Sequence, residues 1–150
     1  AGAPLALTKA MDKLHSQSTS NTSSISQAAA LAALTGPQDF IGEIRQAYQE
    51  RRNLVVEMLN AAPGITCHKP EGAFYVFPGV HGCIGKTSKG GAKITDDESF
   101  VLALLDEEGV AAVHGAAFMY PGHFRISYAT DTESLKEACG RIQRFCQGLK

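Results

Sequence analysis

The dipeptide Pro63-Gly64 divides the chain into two stretches with different hydrophobic patterns. Before it, apolar residues recur at helical spacing over long runs. After it, short β-rich runs bounded by proline and glycine alternate with helical segments. Because helices and strands both need a shared core, this order predicts an α/β or α+β-like domain with helices packed on a small mixed sheet.

Composition narrows the classes of partner. The 150 residues include 14 Lys and Arg against 15 Asp and Glu, a formal net charge of -1, so there is no basic surplus to drive binding to nucleic acid or an anionic membrane. The four cysteines have neither CxxC nor zinc-ligand spacing, and we expect reduced, structural thiols in a cytoplasmic protein. No run of apolar residues is long enough to span a bilayer, and we expect no metal site.

The first stretch predicts three helices. These are Ala1–Leu14, Ser26–Leu34 and a long helix from Pro37 to about Ala61 that would link two bodies, since a polar stretch separates its two apolar clusters. Between the first two helices, the hydroxyl-rich run Ser16–Ser26 predicts a loop, either a solvated linker or the wall of a polar site.

The second stretch predicts short strands and two helices. Thr95 and Glu98 form a possible capping box for a helix that ends at Gly109, and Asp131 is expected to cap a last, amphipathic helix. The glycine-rich run Gly79–Lys93 predicts a mobile surface loop. The predicted strands are Ile65–His68, Ala73–Phe77, Val110–Val113 and Phe124–Tyr128.

The run Gly82–Thr87 ends in Gly-Lys-Thr, as a phosphate-binding P-loop does. The first glycine of that motif falls on Val80, and the glycines after Ser88 oppose the helix that the motif requires at once. The run therefore departs from the P-loop pattern, and phosphate binding would require a helix that begins at Lys86.

Arg125 is the most informative polar residue. In the strand Phe124–Tyr128, alternation places Arg125 on the face opposite Phe124 and Ile126. A guanidinium held on a strand offers a rigid fork to a carboxylate or phosphate. The pattern alone leaves two alternatives open: a salt bridge with a neighbouring acidic residue, or a ligand-binding arginine. His114 and His123 flank the nearby loop and are interpreted as ordinary polar residues.

An ordered set of motifs resembles the C-terminal part of class I (fold type I) pyridoxal-phosphate-dependent aminotransferases, most closely the bacterial aspartate aminotransferases. The set covers nearly the whole chain and consists of residues 16–21, 24–29, 70–77, 109–118 and 124–129. The resemblance implies that residues 1–36 trail from a large cofactor-binding domain. It also implies that residues 37–150 form the small C-terminal domain, with the long helix at about 37–61.

The resemblance also implies roles for two residues. Arg125 would bind the α-carboxylate of the amino-acid substrate, and Phe74, in the motif Gly-Ala-Phe-Tyr, would lie beside that substrate. The family usually has glycine where this chain has Met119, which sets the loop before Arg125 apart. The segment Ser18–Asn21 is similar to one near the family's dimer interface, so a homodimer of the full-length enzyme is implied.

The family's Schiff-base lysine lies upstream of the matched region, so no catalytic or cofactor-binding residue is expected in this chain. Lys9 and Lys13 lack the context of that lysine. The chain also lacks an initiator Met, and we expect an excised piece that binds no pyridoxal phosphate and is inactive alone. The substrates implied are an amino acid and a 2-oxo acid. The alternative is a stand-alone, non-enzymatic binding module with the same small-domain fold.

Overall fold

The computed structural model describes residues 2–150, which divide into two compact units with the boundary between Ile41 and Gly42. None of the helices within residues 2–150 is long and apolar enough to cross a membrane. The helices are α1 (Leu5–Ser18), α2 (Ser24–Thr35), α3 (Phe40–Asn60), α4 (Asp97–Glu108) and α5 (Thr132–Gln147). The strands are β1 (Tyr75–Val76), β2 (Val113–His114) and β3 (Phe124–Ser127), with a 3-10 helix at Gly115–Phe118.

The first unit holds α1 and α2, and neither helix has a buried residue. Leu14 is 72% exposed and Ile25 and Leu34 are each 81% exposed, so these helices carry uncovered apolar surface. The predicted start of the first helix, Ala1, lies outside the described residues, and α1 begins after Pro4. The predicted loop Ser16–Ser26 is too long, because helical hydrogen bonds continue to Ser18 and resume at Ser24.

The second unit contains the core. Helices α4 and α5 pack together. The ring centroid of Phe100 lies 5.4 Å from that of Phe124 on β3 and 5.4 Å from that of Phe145 on α5. Helix α3 contributes Val55 and Leu59 to the core. Ile44, nearer to the start of the same helix, is 47% exposed. Helix α5 is amphipathic, as predicted, and its apolar stripe contains five buried residues: Leu135, Cys139, Ile142, Phe145 and Cys146.

The sheet confirms the predicted fold class but differs in one detail. Its order is β1-β3-β2, and β3 pairs antiparallel with both neighbours, so the three described strands form an antiparallel sheet and not the mixed one predicted. The run at Ile65–His68 forms only an isolated bridge between Thr66 and Gly79. Val110 is buried, but the ladder begins later, at Val113.

The prediction of the residues that cap α4 was wrong. The capping box of α4 uses Asp96 and Ser99, since the N–H of Ser99 donates to Asp96 Oδ1 at 2.8 Å and the N–H of Asp96 donates to Ser99 Oγ at 3.0 Å. Thr95 and Glu98 do not form it. Gly109 ends the helix in the left-handed conformation, as predicted, and Asp131 caps α5.

The run Gly79–Lys93 forms an irregular loop, as predicted, but several of its residues are anchored in the core. Val80 and Cys83 are fully buried, and Thr87 exchanges two backbone hydrogen bonds with Lys150, at 2.8 and 3.0 Å. The N–H of Ile94 donates to the carbonyl of Lys86, and the residues after Lys86 form no helix. A P-loop needs a helix that begins at this position. The phosphate-binding hypothesis therefore fails.

Candidate functional site

Arg125 lies in the middle of β3, the central strand, where its backbone is opposite Val113 of β2. Its side chain is half-buried between two aromatic rings. The guanidinium carbon Cζ lies 4.5 Å from the ring centroid of Tyr75 and 4.4 Å from that of Phe118. Both distances are within the range of cation–π contacts, so the rings hold the charge without hydrogen bonding to it.

Among residues 2–150, the guanidinium of Arg125 has no acidic partner. Within residues 2–150, every ion pair involves other side chains, and none of the hydrogen bonds of a described side chain uses Arg125 as donor. The salt-bridge alternative left open by the sequence pattern is therefore not observed. An arginine carries five N–H donors in a planar fork, and these donors remain available to a planar anion.

The space beside Arg125 is a cavity of about 230 Å³. Tyr75, Ile126 and Ser127 of the sheet line it together with residues 111–113, which lead into β2. Small alanine side chains at two of those positions leave room next to the guanidinium. A carboxylate of a small molecule could enter this space and meet the charge at the sheet.

Phe74 lies directly before β1 and is 43% exposed. Its ring centroid is 4.5 Å from that of Tyr75, whose ring also contacts the guanidinium of Arg125, so Tyr75 links the two residues that the sequence identified. The preceding residue, Ala73, has a φ of 61°, and its carbonyl accepts a 2.8 Å hydrogen bond from the buried Tyr128 hydroxyl. This contact fixes the turn from which Phe74 projects.

Phe74 lines a larger cavity, of about 630 Å³. Arg45, Arg52 and Glu71 contribute charges to its lining, and Arg52 donates to the carbonyl of Pro70 at 3.1 Å. Burial raises the pKa of the Tyr128 hydroxyl at the same cavity, an effect that the charge of Arg52 opposes. Arg125 does not line this cavity, so the two predicted site residues border different spaces.

The loop that carries Phe118 is tied to α4 by one carboxylate. Asp97 Oδ2 accepts from the N–H of Ala116 at 2.8 Å and Asp97 Oδ1 accepts from the N–H of Gly122 at 3.0 Å. Burial acts to raise the pKa of Asp97, but these two hydrogen bonds, its own N–H and the nearby His114 together lower it. The ionised carboxylate of Asp97 therefore binds the loop at both of its ends.

The same loop contains the unusual Met119. Its φ of 57° lies in the left-handed region, and its side chain is 95% exposed. Glycine adopts this conformation without strain, which gives a physical reason for the glycine that the family usually has here. The side chain of Met119 makes no contact that offsets the strain.

Sequence reasoning missed three residues that shape the site. Tyr75 and Phe118 flank Arg125, and Asp97 holds the loop of Phe118. The sequence held only weak signals for them, since the pairing of β1 with β3 and the 3-10 turn are non-local features. His123 stacks on Tyr120 at 3.8 Å, and His114 lies 3.9 Å from Asp97 and not beside the guanidinium.

Comparison with known proteins decides the family. The sequence model of "Aminotransferase class I and II" matches residues 1–142. The chain belongs to the class I and II aminotransferase family. Aspartate/prephenate aminotransferase of Cereibacter sphaeroides is 63% identical over 149 residues, which are 99% of this chain and 37% of that protein. Aspartate aminotransferase of Rhizobium meliloti is 50% identical over 99% of the chain and 36% of its own length.

Solved structures of this aminotransferase family share the fold. The crystal structure of the aspartate aminotransferase from Rhizobium meliloti matches with a TM-score of 0.91 and 50% identity, over 99% of this chain and 37% of that one. An aspartate aminotransferase variant of Thermus thermophilus matches with a TM-score of 0.80 and 36% identity, over 95% and 37%. The chain thus spans little more than a third of the length of the relatives it matches.

Proposed function

We propose that this chain is the C-terminal portion of a longer aminotransferase, in which Arg125 binds the α-carboxylate of the amino-acid substrate. The observation that carries the proposal is the guanidinium of Arg125, half-buried at the sheet, held by two rings and free of any acidic partner among residues 2–150. A fixed cation with unused donors beside a cavity suits a carboxylate ligand. Phe74, one ring away, would contact the rest of the substrate.

The role of Arg125 is placement. A bidentate carboxylate pair fixes both the position and the plane of the substrate, which aligns the bond to be broken with the reacting groups. We propose an amino acid and a 2-oxo acid as substrates, with aspartate a candidate because relatives are named aspartate aminotransferases. Pyridoxal 5'-phosphate would supply the electron sink for this chemistry in the full-length enzyme.

The described residues do not themselves fit that cofactor. An aminotransferase holds it through a lysine amine, and within residues 2–150 neither the cavity beside Arg125 nor the cavity beside Phe74 is lined by a lysine. Lys9 and Lys13 are exposed on α1. We therefore propose that residues outside this chain hold the cofactor and that this piece alone does not transaminate.

We also propose a division of the chain within the longer enzyme. Residues 1–36 would belong to the large domain and residues 37–150 to the small one, with α3 leading from one to the other. Apolar side chains that are exposed on α1 and α2 support this assignment, because such side chains are usually covered in a complete protein. A homodimer of the full-length enzyme is part of the proposal.

Steady-state kinetics of the full-length enzyme test the role of Arg125. Arg125→Ala is expected to raise KM for aspartate by on the order of 100-fold while cofactor absorbance stays unchanged, since a charge-assisted bidentate pair is lost. Arg125→Lys should recover only part of this loss, because lysine keeps the charge but not the planar fork. An unchanged KM in Arg125→Ala contradicts the proposal.

The full-length protein also distinguishes the proposed aminotransferase from the alternative of a non-enzymatic binding module. Transamination of aspartate by the full-length protein supports the enzyme. A full-length protein that binds a dicarboxylate but shows no transfer of the amino group would instead support a non-enzymatic binding module.

A further inference from the structure

The two rings on Arg125 come from separate parts of the second unit. Tyr75 is in β1 and is opposite Ser127 in the sheet, so its position is fixed by the strand ladder. Phe118 ends the 3-10 helix at Gly115–Phe118, which lies between β2 and β3. The guanidinium lies within 4.5 Å of both ring centroids. Contact with two rings limits the movement of the guanidinium, and a cation–π contact leaves its N–H donors unoccupied.

We propose that Phe118 is a positioning residue for Arg125, the half of an aromatic clamp that sets the plane of the guanidinium for the substrate carboxylate. The inference rests on the proposed carboxylate site and deepens it. Tyr75 forms the other half of the clamp. Neither ring needs to touch the substrate, since both act through the arginine.

The chemistry of the clamp explains why rings are used. An acidic partner would also orient an arginine, but it would occupy the N–H donors and cancel the charge that a substrate carboxylate needs. An aromatic face attracts the cation through its quadrupole and leaves every N–H free. The clamp therefore orients Arg125 at no loss of binding capacity.

Phe118 has its own supports. Its ring meets Phe77 edge-on, with centroids 5.7 Å apart. The N–H of Gly115 donates to the carbonyl of His123 at 2.7 Å, and Asp97 accepts from the N–H groups of Ala116 and Gly122. The loop is thus held on both sides of Phe118, and the ring is kept over the guanidinium.

A three-variant comparison in the full-length enzyme tests the clamp. Phe118→Leu keeps an apolar side chain but removes the π face, and we expect KM for aspartate to rise about 3- to 30-fold with a smaller change in kcat. Phe118→Tyr retains the face and should remain within twofold of wild type. Tyr120→Leu is the matched control, because Tyr120 packs on the same Phe77, with centroids 6.3 Å apart, whereas the rings that contact Arg125 within residues 2–150 are those of Tyr75 and Phe118.

A double-mutant cycle separates positioning from general loop damage. In an Arg125→Ala background, Phe118→Leu should have no further effect on KM, because the group that it positions is gone. An unchanged KM in Phe118→Leu overturns the clamp, as does an equal rise in Tyr120→Leu or an undiminished effect in the Arg125→Ala background.

Failure of the clamp and failure of the carboxylate site give different results. If Arg125→Ala raises KM and Phe118→Leu does not, the clamp alone is wrong. If Arg125→Ala leaves KM unchanged, the carboxylate site is wrong and the clamp fails with it. Should Phe118→Leu not fold, the test can be repeated on the other ring with Tyr75→Leu and Tyr75→Phe. We expect the same rise in KM for Tyr75→Leu and no rise for Tyr75→Phe.

Discussion

Asp97 and Gly122 are joined by a 3.0 Å hydrogen bond from the backbone N–H of Gly122 to Asp97 Oδ1, although 25 residues separate them. The second oxygen accepts from the N–H of Ala116, and the Asp97 side chain is almost fully buried. One carboxylate at the start of α4 therefore holds both ends of the loop that bears Phe118. The stability of this loop is open to direct measurement.

Asp97→Asn should lower the free energy of unfolding by about 1–3 kcal/mol, because an amide has only one acceptor oxygen and leaves one part-buried N–H without its partner. Denaturant unfolding measures the change. Asp106→Asn is the matched control, an exposed aspartate on the same helix, and should change stability by less than about 0.5 kcal/mol. Equal losses in the two variants would contradict the role of Asp97.

The pH dependence of stability gives Asp97 a second test. The pKa of Asp97 in the folded protein lies below its ordinary value of 3.8, so its contribution is full above about pH 4 and is lost as the pH falls through the folded pKa. The difference in unfolding free energy between wild type and Asp97→Asn should therefore shrink between pH 6 and pH 3. A constant difference over that range is the opposing result.

Met119→Gly should raise the free energy of unfolding by about 0.5–1 kcal/mol. Glycine relieves the left-handed strain at φ 57°, which outweighs the extra freedom of the unfolded chain, and the exposed methionine side chain loses no packing. Thermal and denaturant unfolding report the gain. The reciprocal change, Gly122→Ala at φ 77°, should destabilise, since its Cβ would also meet the ring of His81.

The four cysteines are free and buried. Burial raises the pKa of Cys67 to about 11 and, together with the nearby Cys67, that of Cys139 to about 11, so neither thiol is ionised near neutral pH. Iodoacetamide at pH 8 should therefore leave both unlabelled in the folded protein and label both in urea, as read by peptide mass spectrometry. Labelling at equal rates in the two states would contradict their burial.

Helical periodicity predicted much of the fold because its signal is local. The stripe of α5 and the stop at Gly109 follow from spacing and from glycine's tolerance of positive φ. The cap of α4 was misplaced by one residue because Thr95 and Asp96 are both good cap residues, and the choice depends on the start of the helix at Asp97.

The site was predictable only in part. Alternation placed Arg125 on the face opposite Phe124, and the family resemblance supplied its role, which stays a prediction. The rings of Tyr75 and Phe118 reach Arg125 only through strand pairing and a 3-10 turn, which join residues far apart in sequence. The anchoring of the segment Gly79–Lys93 to the core was missed for the same reason, since Thr87 pairs with Lys150 at the far end of the chain.

The most direct test of the carboxylate site is the equilibrium dissociation constant of a non-reacting dicarboxylate, succinate, measured by calorimetry on the full-length enzyme with its cofactor. Arg51→Ala is the control, because Arg51 lies 5.8 Å from the ring centroid of Tyr48 on α3 and lines neither cavity beside Phe74 and Arg125. We expect Arg125→Ala to bind succinate on the order of 100-fold more weakly than wild type, and Arg51→Ala to bind it equally well. An unchanged dissociation constant in Arg125→Ala would contradict the account.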